Sequence, residues 1–478
     1  MRRLPPILCS LLIFLLVSCN TPPAPAPTEQ PTAAPTATRR PATATPIPSP
    51  TFTPTPEIPE YLRVGADELH GVKVALWTPW VGSPDSEMQA LAAEFNRQNE
   101  WGIQVQVRSL GSAMVLGEEM ALAVEQQSMP QLVIAPDEQL ARWEQTRDVL
   151  VDLQPYLENE LWGMSEEQLQ DFNPAFWAQG QAGVSRWSIP ATRTAHGLIY
   201  NQTWAGELGF DRPPTAIEAF HAQVCAAAQV NNTSNQRRKY GTGGWLVSTA
   251  PETTLSWLAA FGADPFPAQG EAAYRFDQPQ VAESLSFYRR LQQDGCLWEG
   301  MTPTPYDYFA ERFALIYSGT LQDLPLQAHV QERFESEDQW VFIPYPSQSG
   351  EGVVFAQGEA YAILNSSPEE QLAAWLVLRW LSLPEQQTRL AVANLSLPIG
   401  AESQKALSSR QNDFPWSVIL PLADEVRPVP APASWALVQS VLQDAAWQVL
   451  RLPDGGQIEQ VIADLEAMAQ ELTQTGTE

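Results

Sequence analysis

Basic side chains are scarce in this chain of 478 residues. The 27 Lys and Arg side chains stand against 55 Asp and Glu side chains, which gives a formal net charge of −28. Nucleic acids are bound by Lys/Arg patches that neutralise phosphates, so we expect no nucleic-acid partner. An acidic surface of this kind is typical of a soluble protein facing water.

Motifs for catalysis and metal binding are also missing. The sequence has no G-x-S-x-G, Walker A, H-E-x-x-H or complete EF-hand pattern. The four histidines, His70, His196, His221 and His329, lie far apart and without metal-ligand spacing. We therefore expect no enzyme activity, no metal and no cofactor. A carboxylate pair for glycoside hydrolysis depends on separation in space, so a glycosidase stays open as an alternative.

Long apolar runs are few, and the first one has the length of an export signal. Arg2 and Arg3 precede the apolar segment Ile7–Val17, which is too short for a comfortable membrane span. The segment ends in Leu-Val-Ser-Cys, which resembles a bacterial lipobox with Cys19 as the lipidated residue. We predict a lipoprotein signal peptide over residues 1–19, with an uncleaved anchor as the alternative. The remaining chain is then expected outside the cytoplasmic membrane, anchored by lipid on Cys19.

Residues 20–57 consist almost entirely of Thr, Pro and Ala. Prolines recur every few residues, so neither a helix nor a central strand can form. Such segments favour extended, polyproline-like conformations and act as semi-rigid spacers. We predict a tether that holds a folded domain away from the membrane, with disorder without a role as the alternative.

Strand and helix patterns alternate from about residue 60 onward. The pattern predicts strands near 72–77, 103–107, 132–135, 313–317 and 340–344, and helices from 83, near 116–127, 281–291 and 369–383, and at the end near 458–472. Alternation of this kind predicts an α/β fold.

Several segments, in this order and spacing, resemble the family 1 extracellular solute-binding proteins of bacterial ABC importers, the maltose-binding-protein-like group. The segments that carry the resemblance are Val74–Trp77, Leu91–Asn99, Pro130–Val133, Ile189–Pro190, Gly197–Asn201, Pro213–Thr215, Phe276–Pro279, Phe313–Gly319 and Leu397–Gly400. One departure is Gln131, where the family usually has Asp. The resemblance covers roughly residues 70–470.

This resemblance implies the two-lobed periplasmic-binding-protein fold, with a hinge and a ligand cleft between the lobes. Carried onto this chain, lobe 1 comprises 70–190 and 345–400, and lobe 2 comprises 195–340 and 405–478. It also implies a monomer that captures a solute and delivers it to an ABC permease in the membrane.

Candidate ligand-binding residues come from aromatic and polar side chains in predicted loops. The chain has 17 tryptophans, and aromatic rings cover the flat C–H faces of sugars while polar groups bind the hydroxyls. Most tryptophans are expected in the core. The tryptophans best placed to bind ligand are Trp80, Trp245, Trp416 and Trp435. The polar candidates are Asp137, Glu138, Arg193, Glu252, Ser318 and Gly319.

Two cysteines remain if Cys9 leaves with the signal peptide and Cys19 carries lipid. An even number in an oxidising compartment favours a disulfide, so we predict a Cys225–Cys296 bond, with two buried free thiols as the alternative.

Two classes of function remain. The first is a lipid-anchored solute-binding protein that captures a sugar or oligosaccharide in a closing cleft. The second is a secreted, stalked glycosidase or a surface adhesion module. Within the first class, a phosphodiester or a polyamine stays open as the ligand.

Overall fold

The computed structural model describes residues 62–266, 273–302, 304–453 and 457–475. The predicted signal peptide, Cys19 and the predicted tether lie outside these residues. The strands are β1 (Lys73–Thr78), β2 (Gln104–Ser109), β3 (Leu132–Pro136), β4 (Gln181–Ala182), β5 (Ser185–Arg186), β6 (Ile189–Pro190), β7 (Thr194–Asn201), β8 (Gly243–Leu246), β9 (Leu297–Trp298), β10 (Ala314–Thr320), β11 (Trp340–Ile343), β12 (Phe355–Gln357), β13 (Glu359–Ile363) and β14 (Arg427–Pro428).

The helices account for most of the remaining described chain. They are α1 (Ser83–Gln98), α2 (Ala113–Glu125), α3 (Asp137–Arg147), α4 (Gln154–Leu157), α5 (Glu166–Asp171), α6 (Pro174–Gln179), α7 (Gln202–Glu207), α8 (Ile217–Thr233), α9 (Pro251–Ala260), α10 (Pro279–Gln293), α11 (Tyr306–Ala310), α12 (Asp323–Arg333), α13 (Pro368–Leu381), α14 (Pro384–Asn394), α15 (Ala401–Leu407), α16 (Trp416–Leu422), α17 (Trp435–Arg451) and α18 (Ile458–Thr475).

The first sheet has the strand order β2-β1-β3-β13-β6. Strand β1 pairs in parallel with both β2 and β3, and β13 then pairs antiparallel to β3. The central strand β3 is buried from Leu132 to Ala135, as expected for a parallel strand covered on both faces. The predicted strand, helix, strand, helix, strand opening is therefore confirmed.

The second sheet has the order β14-β12-β7-β10-β8-β9, with β11 also paired to β7. The long strand β7 is the hub, because β10, β11 and β12 all pair antiparallel to it. Helices α8, α9, α10 and α17 cover this sheet with an aromatic-rich core that includes Trp245, Trp257 and Phe220.

The chain passes directly between the two sheets at two places. Strand β6 of the first sheet leads into β7 of the second, and β12 of the second sheet leads back into β13 of the first. The predicted lobe bounds remain a prediction, but sheet membership bears on one of them. Segment Phe355–Gln357 pairs in the second sheet, although the sequence predicts 345–400 in the first lobe.

Within the described ranges, no helix combines the length and the apolar character that a membrane span requires.

Candidate functional site

The two direct passages between the sheets lie side by side. The backbone N–H groups of Ala191 and Thr192 both donate to the carbonyl of Glu359, at 2.9 and 3.1 Å. Gly358 lies against the same segment, and a Cβ at this position would stand 2.0 Å from the carbonyl oxygen of Thr192. Only glycine allows the two backbones to approach this closely.

A buried ion pair holds the start of α3 against this crossing. Arg193 Nη2 lies 2.9 Å from Asp137 Oδ2. The guanidinium also donates to the carbonyl oxygens of Thr192 and Glu359 and, through Nε, to Gln179 Oε1. Burial raises the pKa of the Asp137 carboxyl, and the positive charge of Arg193 acts against that rise.

A cavity of about 320 Å³ opens beside the crossings. Its wall takes residues from the ends of β1 and β3, from both passages, and from the start of α9 and the end of β10. The lining residues are Trp80, Pro136, Glu138, Thr192, Thr194, Glu252, Gln322, Gln357, Gly358, Glu359 and Asn394. Ligands of open α/β sheets bind at this location, beyond the carboxyl ends of the strands.

Three carboxyl groups face this cavity, and no Lys, Arg or His side chain is among its described lining residues. Burial raises the pKa of Glu138 to about 7, and the charges of Asp137, Glu252 and Glu359 raise it further. Burial also raises the pKa of Glu359, against a hydrogen bond from the Thr192 hydroxyl. Near neutral pH, Glu138 can therefore act both as a hydrogen-bond donor and as an acceptor.

Amide side chains complete the polar wall and tie its parts together. Gln357 Nε2 donates to Glu252 Oε1 over 3.2 Å. Gln322 accepts a hydrogen bond from the Thr194 hydroxyl and donates to the carbonyl of Asn394. With the Trp80 ring on one side, the cavity combines an aromatic surface with carboxylates and amides. Hydroxyl-rich, uncharged ligands are bound by this combination of groups.

A family model described as bacterial extracellular solute-binding protein matches residues 90–413. The chain belongs to this family. The sequence-based resemblance is therefore confirmed, and the members of this extracytoplasmic family are binding proteins. No curated protein sequence matches the chain.

Solved structures of solute-binding proteins share the fold. The cyclic α-maltosyl-1,6-maltose binding protein of Arthrobacter globiformis aligns with a TM-score of 0.69 at 17% identity, covering 84% of this chain and 99% of its own. The sugar-binding protein MalE of Xanthomonas citri gives 0.67 at 19%, with coverages of 84% and 98%. The maltotriose binding protein of Thermus thermophilus gives 0.62 at 17%, with 83% and 99%. The predicted two-lobed α/β fold is thus confirmed.

The structure of this solute-binding protein brings three of the predicted ligand residues together. Trp80, Glu138 and Glu252 all line the cavity at the crossings. They come from a loop after β1, from the first turn of α3 and from the first turn of α9, respectively. Their convergence agrees with the sequence-based prediction, although ligand contact itself remains a prediction.

Other predicted polar residues lie around this cavity and do not line it. Asp137 and Arg193 are consumed by their ion pair, and Asp137 borders a separate cavity beside α6 and the loop before α17. Ser318 lines a third cavity with Trp447. Gly319 packs against Asp323 and Ile199.

The other three predicted tryptophans are packed in the interior. Trp245 is 0% exposed, and its ring is surrounded by Phe220, Trp257 and Tyr288. Trp416 and Trp435 are also buried, and Trp435 packs against Phe266 and Tyr274. None of the three lines the cavity at the crossings. Neighbouring glycines and prolines suggested loops, whereas the rings belong to β8, α16 and α17.

Sequence reasoning missed several lining residues. Gln322, Gln357, Glu359, Asn394 and the threonines of the first crossing were not singled out. Gln357-Gly358-Glu359 interrupts two apolar strand segments, and a glycine between short strands signals a close backbone approach. That signal could have located the second crossing.

The predicted disulfide is confirmed. Cys225 of α8 and Cys296, just after α10, are bonded to each other across 71 residues of sequence. The bond lies in the aromatic core beside the second sheet.

Proposed function

We propose that this solute-binding protein captures a carbohydrate in the cavity at the crossings and delivers it to an ABC permease. The observation that carries the proposal is the meeting of Trp80, three glutamates and several amides in one cavity where the chain passes between its two sheets. The names of the structural relatives, which include sugar, maltotriose and cyclic-maltoside binding proteins, support a carbohydrate.

Closure of the two lobes on the ligand is part of the proposal. The passages β6–β7 and β12–β13 are short and adjacent, which is the arrangement of a hinge. A ligand drives closure only to the extent that it binds the closed form more tightly. The cavity's residues come from both sheets, so a bound sugar would contact both sides and favour closure.

The site of action is proposed from the N-terminal segment. A lipid on Cys19 and the Pro/Thr/Ala segment 20–57 would hold a monomeric binding domain near the permease. Mass spectrometry of the N-terminal peptide from membranes tests this, with Cys19→Ala as the control. An unmodified Cys19, or a variant that stays in membranes, would contradict the anchor.

Calorimetric titration of the purified chain tests the ligand class. Maltose, maltotriose and a cyclic oligosaccharide represent sugars, while spermidine and a glycerophosphodiester represent the remaining alternatives. We expect Trp80→Ala and Glu252→Gln to weaken sugar binding at least tenfold, about 1.4 kcal/mol. The matched controls Trp101→Ala and Glu351→Gln lie outside the cavity lining and should bind normally.

The same titrations separate binding from catalysis. We expect heat of binding with no release of product from an aryl glycoside. Turnover of the glycoside would favour the stalked glycosidase instead, and tight binding of spermidine alone would overturn the carbohydrate.

A further inference from the structure

Four side chains of the kinds that bind zinc converge beside the second sheet. They are His221, Cys225, Asp294 and Cys296, here called the His221 cluster, and their ligand atoms all lie within 4.8 Å of one another. None of the four lines the proposed solute cavity, so this cluster is independent of the proposed function.

Local structure explains the convergence. His221 and Cys225 are four residues apart on α8, so they share one face of the helix. Asp294 caps the end of α10, and Gly295, with φ of 67°, turns the chain so that Cys296 returns toward the same face. Two elements thus each present one cysteine and one further ligand.

Distances within the cluster fit one tetrahedral ion. The separation between Cys225 Sγ and His221 Nε2 is 3.6 Å. Zinc bonds of about 2.3 Å to sulfur and 2.0 Å to nitrogen place two such ligands about 3.5 Å apart in a tetrahedron. His221 Nε2 also contacts Asp294 Oδ2 at 2.7 Å, so these two ligands need to separate only slightly to admit an ion between them.

We propose that the His221 cluster binds one zinc ion when the disulfide is reduced. A phosphine reductant breaks the S–S bond, giving two thiols and a phosphine oxide whose oxygen comes from water. Zinc then displaces both thiol protons and takes two thiolates, an imidazole nitrogen and a carboxylate oxygen. In the oxidised chain the two sulfurs are bonded to each other and supply no thiolate.

Zinc and the disulfide are therefore two alternative cross-links between α8 and the end of α10. An ion can reach the cluster from solvent, because the side chains of His221 and Asp294 are 25% and 45% exposed. Metal binding would keep these two elements joined in a chain that has not yet been oxidised or has been reduced again.

Metal retention by the purified chain tests this inference. After phosphine treatment and anaerobic desalting, the chain is mixed with Zn²⁺ or Co²⁺ and passed through gel filtration. We expect one equivalent more metal than a Cys225→Ser/Cys296→Ser variant retains, and a cobalt spectrum typical of tetrahedral thiolate. His221→Ala and Asp294→Asn should each weaken binding about tenfold or more, whereas His329→Ala should not.

Three results would overturn the inference: no added metal in the reduced chain, equal retention by the oxidised chain, or unchanged affinity in both His221→Ala and Asp294→Asn. Circular dichroism covers the case in which reduction unfolds the chain. Recovery of the native spectrum on adding zinc then supports the site, and failure to recover overturns it. Sugar titration of the oxidised chain is unaffected by either result, so the two proposals are tested separately.

Discussion

Arg193 Nη2 lies 2.9 Å from Asp137 Oδ2, with side-chain exposures of 0% and 6%. Asp137 is the first residue of α3, directly after the first sheet's central strand, and Arg193 lies in the passage to the second sheet. The pair therefore fastens the crossing to the first sheet. Because Arg193 also donates to two backbone carbonyls of the crossings, its guanidinium organises the region from which the cavity is built.

Removing one partner of this pair should be strongly destabilising. Arg193→Ala leaves the Asp137 carboxylate buried without its cation, which typically costs about 3–5 kcal/mol. The matched control is Arg108→Ala, because Arg108 forms a surface ion pair with Glu119 and is 52% exposed. Exposed pairs contribute about 0–1 kcal/mol. Urea unfolding measures both variants, and equal losses would refute the role assigned to Arg193.

Gly358 should tolerate no side chain. In Gly358→Ala, the new Cβ would stand 2.0 Å from the Thr192 carbonyl oxygen, so the two crossings must move apart. Overpacking typically costs about 1–3 kcal/mol. Gly206 in α7 offers the opposite case, since a Cβ there meets nothing within 4 Å and alanine should stabilise the helix by about 0.5–1 kcal/mol. Thermal unfolding with shifts of the same sign in both variants would contradict this account.

The fold was predictable from the sequence where one segment determines its own structure. Segment 132–135 is a continuous apolar run, and its burial as a parallel strand follows from that run alone. The helix starting after Ser367 is likewise marked by its cap, because the Ser367 hydroxyl accepts from the Glu370 N–H.

The site was less predictable because its residues meet only in three dimensions. Trp80, Glu138 and Glu252 were found because each follows a strand or opens a helix. Glu359 and Gln322 belong to the site through the pairing of β12, β13 and β10 with distant strands. Whether a tryptophan lies in a loop or in the core depends on the same distant pairing, as Trp245 illustrates.

Trp245 should behave as a core residue and not as a ligand residue. Trp245→Ala removes a fully buried ring that packs on Trp257 and Tyr288, and such truncations cost about 3–5 kcal/mol. Calorimetric titration of the folded fraction should give sugar affinity within about twofold of the unmodified chain, because the ring does not line the cavity. A folded variant with abolished sugar binding would restore Trp245 as a site residue.

Glu138 should make the stability of the chain depend on pH. Its pKa is about 7 in the folded protein, against an ordinary value of 4.5. Between these values the folded state binds more protons than the unfolded state, so the free energy of unfolding falls as pH rises from about 4.5 to about 7. Glu138→Gln cannot titrate and avoids this loss, so it should gain about 1–3 kcal/mol on the unmodified chain across that range. Urea unfolding at several pH values measures the difference, with Glu385→Gln on the exposed side of α14 as the control. If the Glu138→Gln curve ran parallel to that of the unmodified chain, the carboxyl would already be ionised at low pH, and the cavity would hold three negative charges at neutral pH.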